Sequence, residues 1–267
     1  MTVPGDYHVH TTFSDGEGTV AECVEAAIAA GLPEIGIADH LAPVQPTPWD
    51  SATIPLQLLD GYVEAVLDAA EDYPEIRVLL GLEAEYVPEQ EAELDKLLSA
   101  YPFQYAVLGV HVVHGFAFDD PDLRGDPRWG DPDALLAEYY RVVRRAAEYG
   151  HFDVLAHIDY IGLWGHRPGP AALREIGAAL DALAAAGSAM ELNTDRITDP
   201  AGVMYPSGDL LREACARGIP LVISSDAHEA AHVGRLWDEA VANARAAGYV
   251  STLRLSDRSL VPLPEQA

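Results

Sequence analysis

Seven short apolar runs, each followed by a stretch of helical period, fill this chain from end to end. The runs cover residues 7–12, 35–40, 78–86, 105–113, 154–160, 189–194 and 220–228. The helical segments cover 19–30, 54–73, 89–100, 133–149, 170–186, 207–217 and 234–247. A short further strand is expected near 251–255. Strict alternation of this kind predicts a parallel sheet covered by helices, an α/β fold. Seven units suit a closed or distorted barrel better than a doubly wound sheet. No break in composition divides the chain, so one domain over residues 1–267 is expected.

Composition narrows the possible partners. Acidic residues outnumber basic ones 43 to 16, a net charge of −27. Such a surface repels nucleic-acid backbone and anionic lipid, so neither is an expected partner. An anionic substrate would need local positive charge that the total conceals. Cys23 and Cys215 are the only cysteines, too few for a disulfide framework or a thiolate zinc site. No signal-peptide pattern or membrane-length apolar run is present, and a soluble cytoplasmic protein is expected.

The chemistry-bearing residues fall at the C-terminal ends of the predicted strands. His8 and His10 close the first, with Asp15 in the loop beyond, and His40 closes the second. Glu83 and Glu85 stand two apart on the third, so both face one side of the sheet. His111, His157, Glu191, and then Asp226 with His228 close the remaining four. In a parallel barrel these ends form one face, where active sites gather. Imidazole and carboxylate without thiolate suit zinc, iron or manganese, and so many ligands imply two or three ions. Asp39 precedes His40 and should point the other way, into a buried structural role. Glu85, Glu191 and Asn193 have two readings, as groups that orient ligands or as structural partners.

These residues resemble those of the polymerase and histidinol phosphatase (PHP) superfamily. The resemblance rests on His-Val-His at 8–10 with Ser-Asp-Gly at 14–16, Ala-Asp-His at 38–40 and Gly-Leu-Glu-Ala-Glu at 81–85. It continues through Gly-Val-His at 109–111, Ala-His-Ile-Asp at 156–159, Glu-Leu-Asn-Thr at 191–194 and Ser-Asp-Ala-His at 225–228. Gly-Phe-Ala-Phe-Asp at 115–119, Gly-His-Arg-Pro at 165–168 and Tyr-Pro-Ser at 205–207 look most like the monofunctional histidinol-phosphate phosphatases.

The resemblance implies a distorted (β/α)7 barrel of the PHP type, three divalent ions (zinc, iron or manganese) and hydrolysis of a small phosphomonoester. It implies that His8, His10, Glu83 and Asp226 hold one ion. Glu83 would bridge to a second, completed by His111 and His157, while Asp15, His40 and His228 hold the third. His8, His10, Glu83, Asp226 and His228 are the expected catalytic residues. The expected nucleophile is a metal-bridging water that loses its proton near neutral pH. Arg167 and Arg196 are the candidates for binding phosphate, with His114 and His166 as further candidate substrate contacts. The best single substrate is L-histidinol phosphate. The rivals are another phosphoester (a small molecule, a nucleotide or phosphotyrosine) and a non-catalytic metal-binding module. The chain departs from the family in two places. Gly16 stands where many histidinol phosphatases have a histidine, and residues 196–199 replace a Gly-Leu-Arg-Lys stretch.

Overall fold

The structure, a computed structural model, describes residues 4–195 and 204–264. All seven predicted helices form: α1 Val20–Ala29, α2 Leu59–Asp72, α3 Glu91–Ala100, α4 Pro132–Tyr149, α5 Pro170–Ala186, α6 Gly208–Ala216 and α7 Trp237–Ala247. Their ends follow local chemistry. Thr19 caps α1 in a capping box with Glu22, and α4 begins at a proline and stops at Gly150, which has a left-handed backbone. The expected helix at 54–73 begins instead as a 3-10 turn, Leu56–Leu58, because Pro55 precedes it and no side chain caps it.

The strands are shorter than the apolar runs. They are β1 Glu34–Ile37, β2 His40–Leu41, β3 Arg77–Leu80, β4 Glu83–Glu85, β5 Val107–Gly109, β6 Val112–Val113 and β7 Phe116–Ala117. β8 Val154–Leu155, β9 Ala189–Asn193, β10 Leu221–Ser224, β11 Ser251–Leu253 and β12 Leu260–Pro262 follow. Three predicted strands each break in the middle, the second into β1 and β2, the third into β3 and β4, and the fourth into β5 and β6. Six strands form a parallel ladder in the order β10-β9-β8-β5-β4-β2, and β1 pairs in parallel with β3.

Residues 6–10 join by isolated contacts in place of a ladder. Asp6 bridges Ile35 on one side and Val9 bridges Ala227 on the other. Ala38 donates to the Val9 carbonyl at 2.9 Å, and His10 donates to that of Ala227 at 2.9 Å. The seven-unit barrel expected from sequence is therefore a six-stranded ladder whose remaining gap is spanned by single bridges. The distortion lies beside His8 and His10.

Packing separates an inner from an outer core. The outer core joins the sheet to its helices. The inner one contains Tyr7, Ala38, Leu79, Tyr105, Val107, Val154, Ala156, Ala189 and Val222, with Leu255 from beyond β11. The Tyr105 ring crosses close to β1 and β3, and its hydroxyl donates to the Tyr7 carbonyl at 2.8 Å. A Cβ at Gly36 or Gly81 would run into that ring, which explains why glycine occupies both positions. Period-2 geometry then decides what lies above this plug. Ala38 is followed on the same face by His40, Leu79 by Glu83, Val107 by His111, Ala189 by Glu191, and Val222 by Asp226. Apolar residues fill the bottom of each stripe and ligand-type residues its top. Among the described residues no helix is long and apolar enough to cross a membrane.

Candidate metal centre

Strand register sets His40 directly beside Glu83, since β2 and β4 pair with those residues opposite each other. From there Glu83 reaches every neighbouring imidazole. Its Oε2 contacts His40 Nδ1 and lies 3.1 Å from His8 Nε2 and 3.7 Å from His10 Nε2. Its Oε1 lies 3.1 Å from His157 Nε2 and 3.8 Å from His111 Nε2. Around this carboxylate three groups offer ligand atoms within 4.8 Å of one another. They are His8, His10 and Asp226; Glu83, His111 and His157; and His10, Asp15, His40 and His228. All nine candidate ligands are thus brought together, with His10 in reach of two groups.

Two of the nine sit on uncommon backbone. Asp226 has φ of 51° and His157 φ of 22°. The turn at His157 has a visible purpose. Val154 and Ala156 belong to the inner core, so an undistorted strand would send residue 157 outward. Strain of this sort persists where surrounding contacts enforce it, most often at functional sites.

Those contacts come from an outer ring of carboxylates and amides. Glu85 is not a member of the groups. It accepts from the His111 and Val112 backbone N–H at 3.0 and 2.9 Å, and its Oε2 pairs with His111 Nδ1 at 2.7 Å. Glu191 pairs with His8 Nδ1 at 2.7 Å and accepts from the His157 backbone N–H at 3.0 Å. Asn193 donates to Glu191 at 3.1 Å and to Asp226 Oδ2 at 2.8 Å. Of the two readings open for these residues, the geometry fits orientation of the ligands. Glu85 and Glu191 each leave the Nε2 of their histidine facing Glu83. Glu191→Gln is therefore expected to weaken Zn²⁺ or Mn²⁺ binding by about 10- to 100-fold. Competition against a chelator measures this, and unchanged affinity would remove Glu191 from that role.

Asp39 is buried and structural, as expected. It accepts from Thr11 N and Thr11 Oγ1, both at 2.7 Å, and from Ser14. These bonds fix the loop that carries Asp15 3.4 Å from His228 Nε2 and 3.7 Å from His40 Nε2. Gly16, the first departure from the family pattern, packs on this loop. A Cβ there would stand 2.5 Å from the carbonyl carbon of His10, so a histidine has no room, and Asp15 supplies the group by itself. Gly109 is a further necessity, since its Cβ would stand 2.5 Å from Glu83 Oε1 and His111 Cε1.

The electrostatics are those of a pocket built for cations. Burial pushes Glu83 and Asp226 up, but His40 and His8 for the first, and His8 and His10 for the second, hold both far below ordinary carboxylates. Burial lowers His111, yet Glu85 takes it to about 9; burial lowers His228, yet Asp15 and Asp226 take it to about 10. His10 is pulled down to about 4 by burial, with His40 and His228 adding to it. Several polar atoms remain buried without a hydrogen-bond partner: His8 Nε2, His10 Nδ1, His40 Nδ1, His157 Nδ1 and Glu83 Oε2. Buried groups of this kind are costly unless something satisfies them. Bound cations would satisfy Glu83 Oε2 and the ring nitrogens crowding it together, so the donor set fits divalent metal.

The PHP domain family matches residues 6–195. This chain belongs to that family. A relative from Deinococcus radiodurans, named a probable histidinol-phosphatase, is 34% identical over 254 residues, covering 93% of this chain and 95% of the relative. A Bacillus subtilis histidinol-phosphatase is 25% identical over 261 residues, covering 87% of this chain and 96% of its own. The fold is also that of the Lactococcus lactis histidinol phosphate phosphatase, solved with zinc, L-histidinol and phosphate. That match has a TM-score of 0.76 at 22% identity, covering 92% of this chain and 95% of that one.

Outside the nine residues, the PHP domain places the candidate substrate contacts at its periphery. His114 has a side chain 71% exposed and lies 3.5 Å from Glu138. His166 stacks on Trp129 at 4.4 Å, and Arg167 is exposed beside it. None of the three belongs to the metal groups. Arg196 and the rest of the stretch 196–199 lie outside the described residues. Two aromatic walls were not foreseen. Trp49 stacks on His111 at 4.0 Å and meets His40 edge-on at 4.4 Å, while Tyr160 contacts both His111 and His157. Trp49 follows the prolines at 43, 46 and 48, a loop signal that says nothing of where the ring lands. Tyr160 follows three residues after His157, which is a spacing of similar ambiguity.

Proposed function

We propose that this PHP-family protein is a metal-dependent phosphomonoesterase whose substrate is L-histidinol phosphate, with residues 1–267 forming one catalytic domain. The observation that carries this reading is the gathering of three imidazole and carboxylate groups around Glu83. Relatives named histidinol-phosphatase, aligned over most of both chains, support the choice of substrate. Three ions would be held: one by His8, His10, Glu83 and Asp226, one by Glu83, His111 and His157, and one by Asp15, His40 and His228. Zinc, iron and manganese all suit these donors. When bound, such ions supply Lewis acidity and a nucleophilic water at neutral pH.

The chain's own residues orient and protect. Glu191 and Glu85 hold the His8 and His111 rings at their Nδ1 atoms. Asp226 is held by Asn193 through Oδ2, which leaves Oδ1, 2.9 Å from His10 Nε2, facing the ion that His8 and His10 would share. His228 Nδ1 lies 3.1 Å from the Asp226 carbonyl, directing Nε2 towards Asp15. Trp49 and Tyr160 limit water at the flank of His111.

Phosphate release tests the reading. Ion-loaded protein should hydrolyse L-histidinol phosphate well ahead of p-nitrophenyl phosphate, a mononucleotide and a phosphotyrosyl peptide, and His8→Ala should be inactive. Preference for another ester would overturn the substrate. Absence of hydrolysis on every ester would overturn the enzyme.

A further inference from the structure

Asp119 borders the centre with one carboxylate oxygen left without a hydrogen-bond partner. Asp39, Glu85, Glu191 and Asp226 each accept from named donors. Asp119 Oδ1 is buried with no hydrogen-bond partner, and among the described residues no arginine, lysine or histidine forms an ion pair with its carboxylate. Its position is well fixed. Phe118 donates its N–H to the His111 carbonyl at 3.3 Å, and Trp164 Nε1 donates to the Phe118 carbonyl at 2.8 Å. The Phe118 ring meets Tyr160 edge-on at 5.9 Å, and Tyr160 in turn contacts His111 and His157. Asp119 therefore stands at the end of the β6–β7 hairpin, next to the aromatic wall of the Glu83, His111 and His157 group.

Its surroundings register this placement. Burial raises Asp119 to about 6; His111 pulls it down, Glu85 pushes it up, and His157 pulls it down further. After burial, Asp119 is the strongest influence raising the Tyr160 phenol. A carboxylate with a buried oxygen left unsatisfied beside a metal centre is unfavourable in the free protein and complements a cation that arrives with the substrate.

We infer that Asp119 is a specificity-determining residue that binds the cationic nitrogen of an amine-bearing phosphomonoester while the phosphoryl group sits at the ions. This rests on the phosphomonoesterase reading above and names the part of the substrate that the ions do not recognise. A carboxylate at this place selects phosphoesters of amino alcohols over neutral phosphoesters of similar size.

The test is the ratio of kcat/KM for L-histidinol phosphate to that for p-nitrophenyl phosphate, measured in ion-loaded wild type, Asp119→Asn and Asp119→Glu. Asp119→Asn should lower the ratio roughly 10- to 100-fold, mostly through KM for the amine, the range for losing one charge-assisted hydrogen bond. Asp119→Glu should recover part of it. The neutral ester reports whether each variant is folded and loaded. If L-histidinol phosphate is a good substrate and the ratio is the same in all three proteins, Asp119 has no part in recognition. An equal fall on both esters makes it a structural residue and overturns the inference. Wild type that prefers p-nitrophenyl phosphate overturns the substrate reading itself, and this inference with it.

Discussion

Glu83→Gln is expected to lower kcat/KM by about three orders of magnitude or more, a loss at least as large as removing one preorganised group at the reacting charge. The size follows from geometry. One carboxylate contacts His8 and His40 through Oε2 and His157 through Oε1, with His10 and His111 slightly farther away. Glutamine keeps the shape but removes the negative charge and turns an N–H₂ donor towards ring nitrogens that have to bind cations. On the proposed assignment two ion positions would be affected at once, so the effect should exceed that of losing a terminal ligand such as His228. The fold should survive, because Glu83 belongs to the top of its stripe and the inner core beneath it is untouched. Steady-state kinetics with circular dichroism as a control measures this. A loss below about tenfold would place Glu83 outside the reacting centre.

Removal of ions is expected to have the second large effect, on stability, and its pH dependence has a definite sign. A ligand that binds only the folded state at about 1,000 times its dissociation constant adds about 4 kcal/mol. In the ion-free protein, His111 and His228 titrate near 9 and 10, above the ordinary 6.5. A raised imidazole contributes stability that is complete below 6.5 and disappears as pH rises through the folded value. Melting temperature of the ion-free protein should therefore decline between pH 6.5 and 10. Ions require deprotonated ligands, so their contribution grows over the same interval. The gap between ion-loaded and ion-free melting temperatures should widen with pH. His10 acts in the opposite sense below 6.5, where its value near 4 means that acid charges the unfolded chain first. Calorimetry with and without chelator measures both, and parallel pH profiles would contradict the assignment of these histidines.

Much of this architecture was legible in the sequence, and for a physical reason. Helical period and capping are local, so α1 to α7 appear close to where they were expected. The period of two along a strand is local as well, which is how His40, Glu83, His111 and Asp226 could be assigned to one face. Breaks in the strands were not legible, because they come from contacts distant in sequence. Gly36 and Gly81 yield to the Tyr105 ring, more than twenty residues away from either. The phase shift at His157 was likewise hidden, since nothing nearby in sequence demands its backbone turn. The roles of Glu85 and Glu191 became clear only when the histidines they hold were seen beside them. Trp49 was missed for a similar reason: where a loop residue's ring lands depends on where the loop is pinned.

The most direct measurement is phosphate released from L-histidinol phosphate as Zn²⁺ or Mn²⁺ is added back to chelator-treated protein, with bound metal per chain followed in parallel. Activity should be absent without ions and rise to its maximum as the groups around Glu83 fill. Ion-free protein that hydrolyses the ester as fast as loaded protein would contradict the account, as would full loading with no phosphate released.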